Sequence, residues 1–249
     1  MPRLVDRFER VRTLSRIAHH RTDGVETRVW DGADPGPAAL DEVDTVIHLA
    51  GEPIFGGPLT RARMSRIRAS RVDSTRGIVA RLLEAEARDR PRTLVCASAV
   101  GFYGDAGEKE LPETAPSGEG FLAEVCRAWE HEAVRAEEGG VRVIRLRIGV
   151  VLSRESGALA LMRWPFALGV GGRLGSGRQF FPWIHAPDLA EVISFCVDSE
   201  LSGPVNAVAP ELVRNADLTR ELAQAGDPRA NQVRAPAYIL AIRMRARLK

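Results

Sequence analysis

Short segments rich in apolar and β-branched residues alternate with longer stretches of helical periodicity along most of this chain. Each short segment has the length of a strand, and strands that alternate with helices are typical of a parallel sheet. Six segments are predicted as strands: Val11–Leu14, Val25–Trp30, Thr45–Leu49, Thr93–Ala97, Val141–Ile148 and Pro204–Ala207. The pattern therefore predicts an α/β fold with a doubly wound parallel sheet.

Two long helices are predicted between these strands. One is Thr60–Arg88, whose apolar residues recur near helical spacing, and the other is Gly120–Glu138. Gly139 and Gly140 give the second helix an end, because glycine adopts positive φ at little cost. The outer face of the first helix is interpreted as a solvated surface because it is rich in arginine. Its arginines are Arg61, Arg63, Arg66, Arg68 and Arg71.

Composition excludes several classes of protein. The 249 residues are 45% hydrophobic and 27% charged with a net charge of +2, which is typical of a soluble globular protein and predicts no nucleic-acid partner. No run of about 18 apolar residues occurs, which predicts no membrane partner and a cytoplasmic location. Cys96, Cys126 and Cys196 are predicted as reduced core thiols, and the histidines show no ligand spacing, so no metal site is predicted.

The pattern changes near residue 150. Residues 1–150 are predicted to form a nucleotide-binding domain. Residues 151–249 contain a glycine-rich stretch, Gly169–Gly177, followed by an aromatic segment, and they are predicted to form a small substrate-binding lobe that shares the same core. Ala235–Lys249 is predicted as a short terminal helix.

Residues that follow the strands are the first candidates for a site, because ligands of doubly wound sheets bind at the carboxyl ends of the strands. The loop that begins at His48 has small residues that would let a dinucleotide approach the backbone; the alternative is an ordinary strand-to-loop turn. Ser98 and Tyr103 follow the Thr93 strand and could contact a reacting carbonyl or hydroxyl. The alternative for both is a local packing and hydrogen-bonding role.

Later segments add further candidates. One of Arg145 and Arg147 is predicted to be buried and paired. Arg178, in a glycine-rich turn, is predicted to clamp a phosphate or carboxylate, with a solvated loop arginine as the alternative. His185 is predicted to pack before a helix that has Asp188 near its N-terminus.

Six motifs in register carry a family resemblance. They are HLAGEPI, SAVGFYG, GFLAEVCRAWE, LRIGVVLS, GSGRQFFPWIHAPDLA and GPVNAVAPE. From about Val11 to about Pro236 the chain resembles the atypical extended short-chain dehydrogenase/reductases of the NAD(P)-dependent epimerase/dehydratase family, in the branch that is similar to sugar-nucleotide epimerases. The resemblance implies a Rossmann-like domain that binds NADP or NAD, with a C-terminal lobe for the substrate.

The resemblance also implies positions for the cofactor. Leu49, Ala50 and Gly51 are carried over as backbone contacts, together with the adjoining Glu52 and with Ala97 at the end of the next strand. A basic residue after the first predicted strand, Arg16, matches a position that can meet the 2′-phosphate of NADP.

The chain departs from the family pattern at both ends. The strand and glycine-rich G-x-x-G-x-x-G turn that open such proteins have no counterpart, and the segment beyond Pro236 is short. We therefore expect a sheet without its central strand and a weakened hold on the pyrophosphate of the cofactor.

The catalytic set of the family also departs from its pattern. Ala99 stands at the serine or threonine position, with Ser98 beside it. The tyrosine and lysine positions fall on Phe121 and Val125, and neither side chain can transfer a proton. Ser98 and Tyr103 are left as the predicted proton-handling pair.

Three functions fit these observations. The first is an NAD(P)-dependent epimerase, dehydratase or reductase that acts on a small molecule such as a nucleotide sugar. The second is a non-catalytic nucleotide-binding or interaction protein, and the third is a truncated, inactive homologue. The sequence leaves open whether the chain forms a homodimer.

Overall fold

The computed structural model describes residues 8–16, 25–54, 57–153, 157–168 and 171–226. They form two compact units. The first contains the described residues up to Gly149 together with Pro187–Val208, and the second contains Val150–Ala186 and the described residues from Ala209 onward. The sequence placed a single boundary near residue 150, whereas the chain returns to the first unit at Pro187. The predicted helix at Ala235–Lys249 lies outside the described residues.

Eight strands are present in the described part of the chain. They are β1 (Arg12–Ser15), β2 (Glu26–Val29), β3 (Thr45–His48), β4 (Thr93–Ala99), β5 (Arg142–Ile148), β6 (Val150–Leu152), β7 (Trp183–His185) and β8 (Gly203–Ala207). All six predicted strands are confirmed, with ends that shift by one or two residues. The short strands β6 and β7 were not predicted.

The strands of the first unit form two parallel sheets. One has the order β3-β4-β5-β8, and β1 pairs with β2 in the other. The Arg12 guanidinium joins the β1 strand to the segment that leads into β3, because it donates to the carbonyls of Ala39 at 3.0 Å and Asp41 at 2.9 Å. The predicted parallel α/β fold is confirmed.

Five α-helices accompany these strands in the described residues. They are α1 (Arg61–Glu84), α2 (Phe121–Val134), α3 (Ala158–Ala167), α4 (Ala186–Asp198) and α5 (Asn215–Gly226). Thr60 caps α1, since its hydroxyl accepts the amide of Arg63 at 3.3 Å. Helix α2 continues into a 3-10 turn, Arg135–Gly139, and the φ of 75° at Gly140, which caps this turn, confirms the predicted glycine stop. In the described residues no helix combines the length and the apolar character needed to cross a bilayer.

Helices cover both faces of the four-stranded sheet. On one face, Val79 and Leu82 of α1 and Trp129 of α2 pack in one cluster with Leu94 of β4. On the other face, Ile144 of β5 packs in a second cluster with residues of α4. This arrangement makes the sheet doubly wound and leaves its carboxyl edge for the loops. The three cysteines are buried free thiols, as predicted.

The second unit is smaller. Strands β6 and β7 form a parallel pair, in which Val150 lies opposite Trp183 and Leu152 opposite His185. His185 is partly buried and directly precedes α4, which carries Asp188 in its first turn, so the predicted positions of both residues at the start of this helix are confirmed.

Candidate functional site

The parallel register brings the ends of β3, β4 and β5 to one edge of the sheet. His48 lies opposite Cys96, and Ser98 lies opposite Arg147. The loop after β3 and the segment from Ser98 to Tyr103 after β4 therefore leave the sheet at the same edge. This is where ligands bind in folds of this type.

The loop after β3 is exposed and held in place. Leu49 is 43% exposed, and Ala50 and Gly51 are also exposed. The Glu52 amide donates to Ser70 Oγ at 2.9 Å, and the Glu52 carbonyl accepts from Arg71 at 3.0 Å. A strand end with small side chains and a pinned backbone fits a dinucleotide, which needs close approach to the backbone.

Gly51 lies close against Arg71. A Cβ atom added to Gly51 would lie 3.1 Å from Cζ of Arg71. Any larger residue would push against the guanidinium or move the loop. The glycine therefore keeps the backbone surface and the arginine beside it accessible together.

The structure corrects the prediction of a uniformly solvated arginine face on α1. Arg61, Arg66 and Arg68 are exposed, but Arg63 and Arg71 are partly buried beneath the loop. Arg63 donates to the carbonyls of Pro53 at 3.1 Å and Ile54 at 3.0 Å, and also to that of Gly57. Helical spacing identifies the face, but only the fold shows that the loop covers part of it.

An open depression of about 460 Å³ adjoins this loop. It is lined by Glu52, Pro53, Gly57, Pro58, Thr60, Arg63 and Arg66. Arg66 faces Glu52 across it at 3.7 Å. The Arg63 guanidinium in this depression therefore already has carbonyl partners, and Arg66 has Glu52.

His48 anchors the start of the loop. It is 3% exposed, its Nε2 lies 3.2 Å from Ser74 Oγ, and its ring meets those of Trp30 and Trp129 edge to face. Burial lowers the pKa of His48 from 6.5 to about 4. The imidazole is therefore neutral at physiological pH and acts as a packed core residue.

This burial predicts a loss of stability in mild acid. The unfolded chain protonates His48 near pH 6.5 and the folded chain only near pH 4, so stability is constant above pH 6.5 and falls between these values. Between pH 7 and pH 5 we expect this group to remove about 2 kcal/mol from the free energy of unfolding. Urea denaturation of the parent and of His48→Gln measures it. Equal losses in both proteins would show that other groups cause the effect.

Ser98 lies in a buried ionic cluster. Its hydroxyl donates to Glu130 Oε1 at 2.7 Å, and Arg147 binds both oxygens of Glu130, at 2.9 Å and 3.0 Å. Ser98, Glu130 and Arg147 are each at most 5% exposed. Arg145 lies 3.5 Å from the same carboxylate. The prediction that one of the two β5 arginines is buried and paired is confirmed for Arg147.

Tyr103 completes this cluster. Its hydroxyl donates to Asn206 Oδ1 at 2.7 Å and accepts from Arg147 at 2.9 Å. Ser98 and Tyr103 are thus brought together by one network, Ser98–Glu130–Arg147–Tyr103–Asn206, which we call the buried relay. The cation next to the Tyr103 hydroxyl is Arg147, and not a lysine as in the catalytic pattern of the family.

Sequence reasoning missed Glu130 and Asn206. Glu130 lies on the buried face of α2, four residues after Cys126 and next to Trp129, and an acidic residue on such a face is a signal for a buried charge partner. Asn206 gave no such signal, because its position in β8 becomes informative only once the strand is placed beside β5.

The other residues that are predicted to contact a ligand lie in different parts of the fold. Arg16 is exposed and directly follows β1, whereas Ala97 is 6% exposed and packs in the core. Arg178 is exposed in the second unit, where its carbonyl accepts from Arg214. Their contacts with ligands remain predictions. In the described residues no group of three histidine, cysteine or acidic side chains could hold a metal ion.

Comparisons with known proteins agree with this architecture. Residues 5–208 match the model of the NAD dependent epimerase/dehydratase family. An epimerase family protein of Mycobacterium bovis is 37% identical over 216 residues, which cover 86% of this chain and 70% of the relative. The structure of a nucleoside-diphosphate sugar epimerase from Corynebacterium glutamicum is similar with a TM-score of 0.69 and 38% identity, over 85% of this chain and 47% of that one.

A second solved structure is informative about the cofactor. The human epimerase family protein SDR39U1, solved with NADPH, is similar with a TM-score of 0.75 and 28% identity. The similarity covers 90% of this chain and 74% of the human one. The chain thus spans less than half of the bacterial epimerase structure and about three quarters of the human one.

Proposed function

Because the chain belongs to the NAD-dependent epimerase/dehydratase family, we propose that it binds NADP or NAD at the loop from Leu49 to Glu52. The nicotinamide would exchange a hydride with a small-molecule substrate, such as a nucleotide sugar. The observation that carries this proposal is the exposed, pinned loop at the carboxyl edge of a parallel sheet, with Ser98 and Tyr103 at the same edge.

The residues divide the work as follows. Leu49, Ala50 and Gly51 offer backbone to the dinucleotide, with Glu52 and Ala97 beside them, and Arg16 meets the 2′-phosphate of NADP. Tyr103 and Ser98 hold or move the proton at the substrate oxygen. In this proposal Arg178 binds an anionic group of the substrate.

A second candidate is nucleotide binding without turnover. Its support is that the hydroxyls of Ser98 and Tyr103 already donate to side-chain partners, the buried Glu130 and the partly buried Asn206. Phe121 and Val125 offer no substitute, because neither side chain has an ionisable proton to transfer. The two candidates share the cofactor site and differ only in chemistry.

Titration with NADPH and NADH tests the shared step. We expect NADPH to bind more tightly, and Arg16→Ala to weaken NADPH about tenfold while leaving NADH unchanged, because only NADPH carries the 2′-phosphate. Arg10→Ala is the matched control, since Arg10 is also exposed but pairs with Glu42 at 2.9 Å. Fluorescence of the reduced nicotinamide reports binding. An absence of binding at millimolar concentration would overturn both candidates.

A further inference from the structure

Arg71 presents two different sides to its surroundings. Its NH1 atom donates to the carbonyls of Glu52 at 3.0 Å and Ile67 at 3.1 Å and to Ser70 Oγ at 3.4 Å. Its Nε and NH2 atoms make no hydrogen bond within the described part of the chain, and the side chain is partly exposed. One side of the guanidinium therefore fixes the loop, and the other is left with open donors.

The charge of Arg71 is poorly compensated. No carboxylate of the described residues lies within 4 Å of Arg71, and Glu52, the acidic group that acts on it, faces Arg66 at 3.7 Å. The Trp129 ring, 5.3 Å from Cζ, provides partial compensation. Burial still lowers the pKa of Arg71, which means that the cation is disfavoured where it stands. An anion would relieve this cost.

The location of this guanidinium is specific. A Cβ atom at Gly51 would lie between 3.1 and 3.3 Å from Cζ, NH1 and NH2 of Arg71. A ligand that lies on the exposed backbone of Gly51 therefore meets the guanidinium directly. Two adjacent N–H donors on a planar cation match the oxygens of a phosphate group.

We propose that Arg71 binds a phosphate group of the ligand that lies against Gly51, through Nε and NH2, while NH1 holds the loop. This proposal rests on the proposed function. The phosphate belongs either to the diphosphate of the cofactor or to that of a nucleotide-sugar substrate.

Arg71→Gln, Arg71→Lys and Ser70→Ala separate binding from loop positioning. Ser70→Ala is the matched control, because it removes the hydroxyl that accepts from the Glu52 amide and, at 3.4 Å, from Arg71 NH1, and leaves the charge, Nε and NH2 of Arg71 in place. We expect Arg71→Gln to raise the Kd for NADPH or for UDP about 10- to 100-fold at low ionic strength, and Ser70→Ala about fivefold at most. For Arg71→Lys we expect a rise in Kd between those of Arg71→Gln and Ser70→Ala. High ionic strength should narrow the gap between Arg71→Gln and Ser70→Ala, since salt screens the charge.

The outcomes distinguish this proposal from the proposed function. If Arg71→Gln raises the Kd for NADPH but not the Kd for UDP, the phosphate that Arg71 binds is that of the cofactor. A parent protein that binds UDP through Arg71 but does not bind NADPH supports the anion site and removes the proposed function. If Arg71→Gln and Ser70→Ala lose equal affinity for NADPH at both ionic strengths, the anion site is overturned and cofactor binding stays intact. Binding of neither probe overturns both, and urea denaturation verifies that each variant is folded.

Discussion

Replacement of Arg147 by methionine should lower the free energy of unfolding by about 3–5 kcal/mol. Glu130 is 5% exposed and would lose both of its hydrogen bonds to the guanidinium, and Tyr103 would lose a donor. A buried carboxylate without its partner is costly because water cannot replace the lost contacts. Urea denaturation at neutral pH measures the loss.

Arg76→Met is the matched control for this prediction. Arg76 also pairs with a glutamate of α2, at 2.7 Å from Glu132, but its side chain is 51% exposed. Solvent screens such a pair, so we expect a loss of about 1 kcal/mol at most. A loss in Arg147→Met no larger than in Arg76→Met would show that the buried relay does not stabilise the fold.

A double-mutant cycle isolates the pair itself. Glu130→Gln combined with Arg147→Met removes both charges of this pair, so neither of the two is left buried without the other, while Arg145, 3.5 Å from Glu130, keeps its charge in every variant. We expect the double variant to lose clearly less than the sum of the two single variants. Additive losses would mean that Arg147 acts through its packing, including its stacking over Phe102 at 3.6 Å, and not through the carboxylate.

The sequence predicts the strands of the first unit because their apolar and β-branched character is local. It does not predict β6 and β7, since each has three residues and pairs across a gap of some thirty positions. The return of the chain to the first unit is also non-local, because it depends on β8 pairing with β5. Periodicity reports which face of an element is apolar, not which distant element covers it.

The candidate site, like the fold, has residues that the sequence predicts and partners that it does not. Ser98 and Tyr103 are predicted at one edge because residues after parallel strands share it. Their partners come from far along the chain: Glu130 is 32 positions from Ser98, and Asn206 is 103 positions from Tyr103. The sequence predicts Arg71 on a solvated face, because it does not show that the Gly51 loop folds over that part of α1.

If the parent protein oxidises NADPH with a small carbonyl substrate, we expect Tyr103→Phe to lower kcat by about 100-fold or more and to leave the Kd for NADPH unchanged. For proton donation the hydroxyl would turn from Asn206 toward the substrate. Arg147, 2.9 Å from the phenolic oxygen, would then stabilise the negative charge left on it. The assay follows the loss of NADPH absorbance over a panel of small carbonyl compounds and nucleotide sugars.

Asn206→Ala separates this role from a structural one. It removes the acceptor of the Tyr103 hydroxyl and spares the hydroxyl itself. If Tyr103 serves only the buried relay, Tyr103→Phe and Asn206→Ala lower stability to a similar extent and leave kcat equally unaffected. If Tyr103 donates the proton, Asn206→Ala retains turnover within about tenfold while Tyr103→Phe does not. If the parent binds NADPH but oxidises none of it with any compound of the panel, nucleotide binding without turnover is favoured. The hydroxyls of Ser98 and Tyr103 then stay bonded to Glu130 and Asn206 and do not reach a substrate.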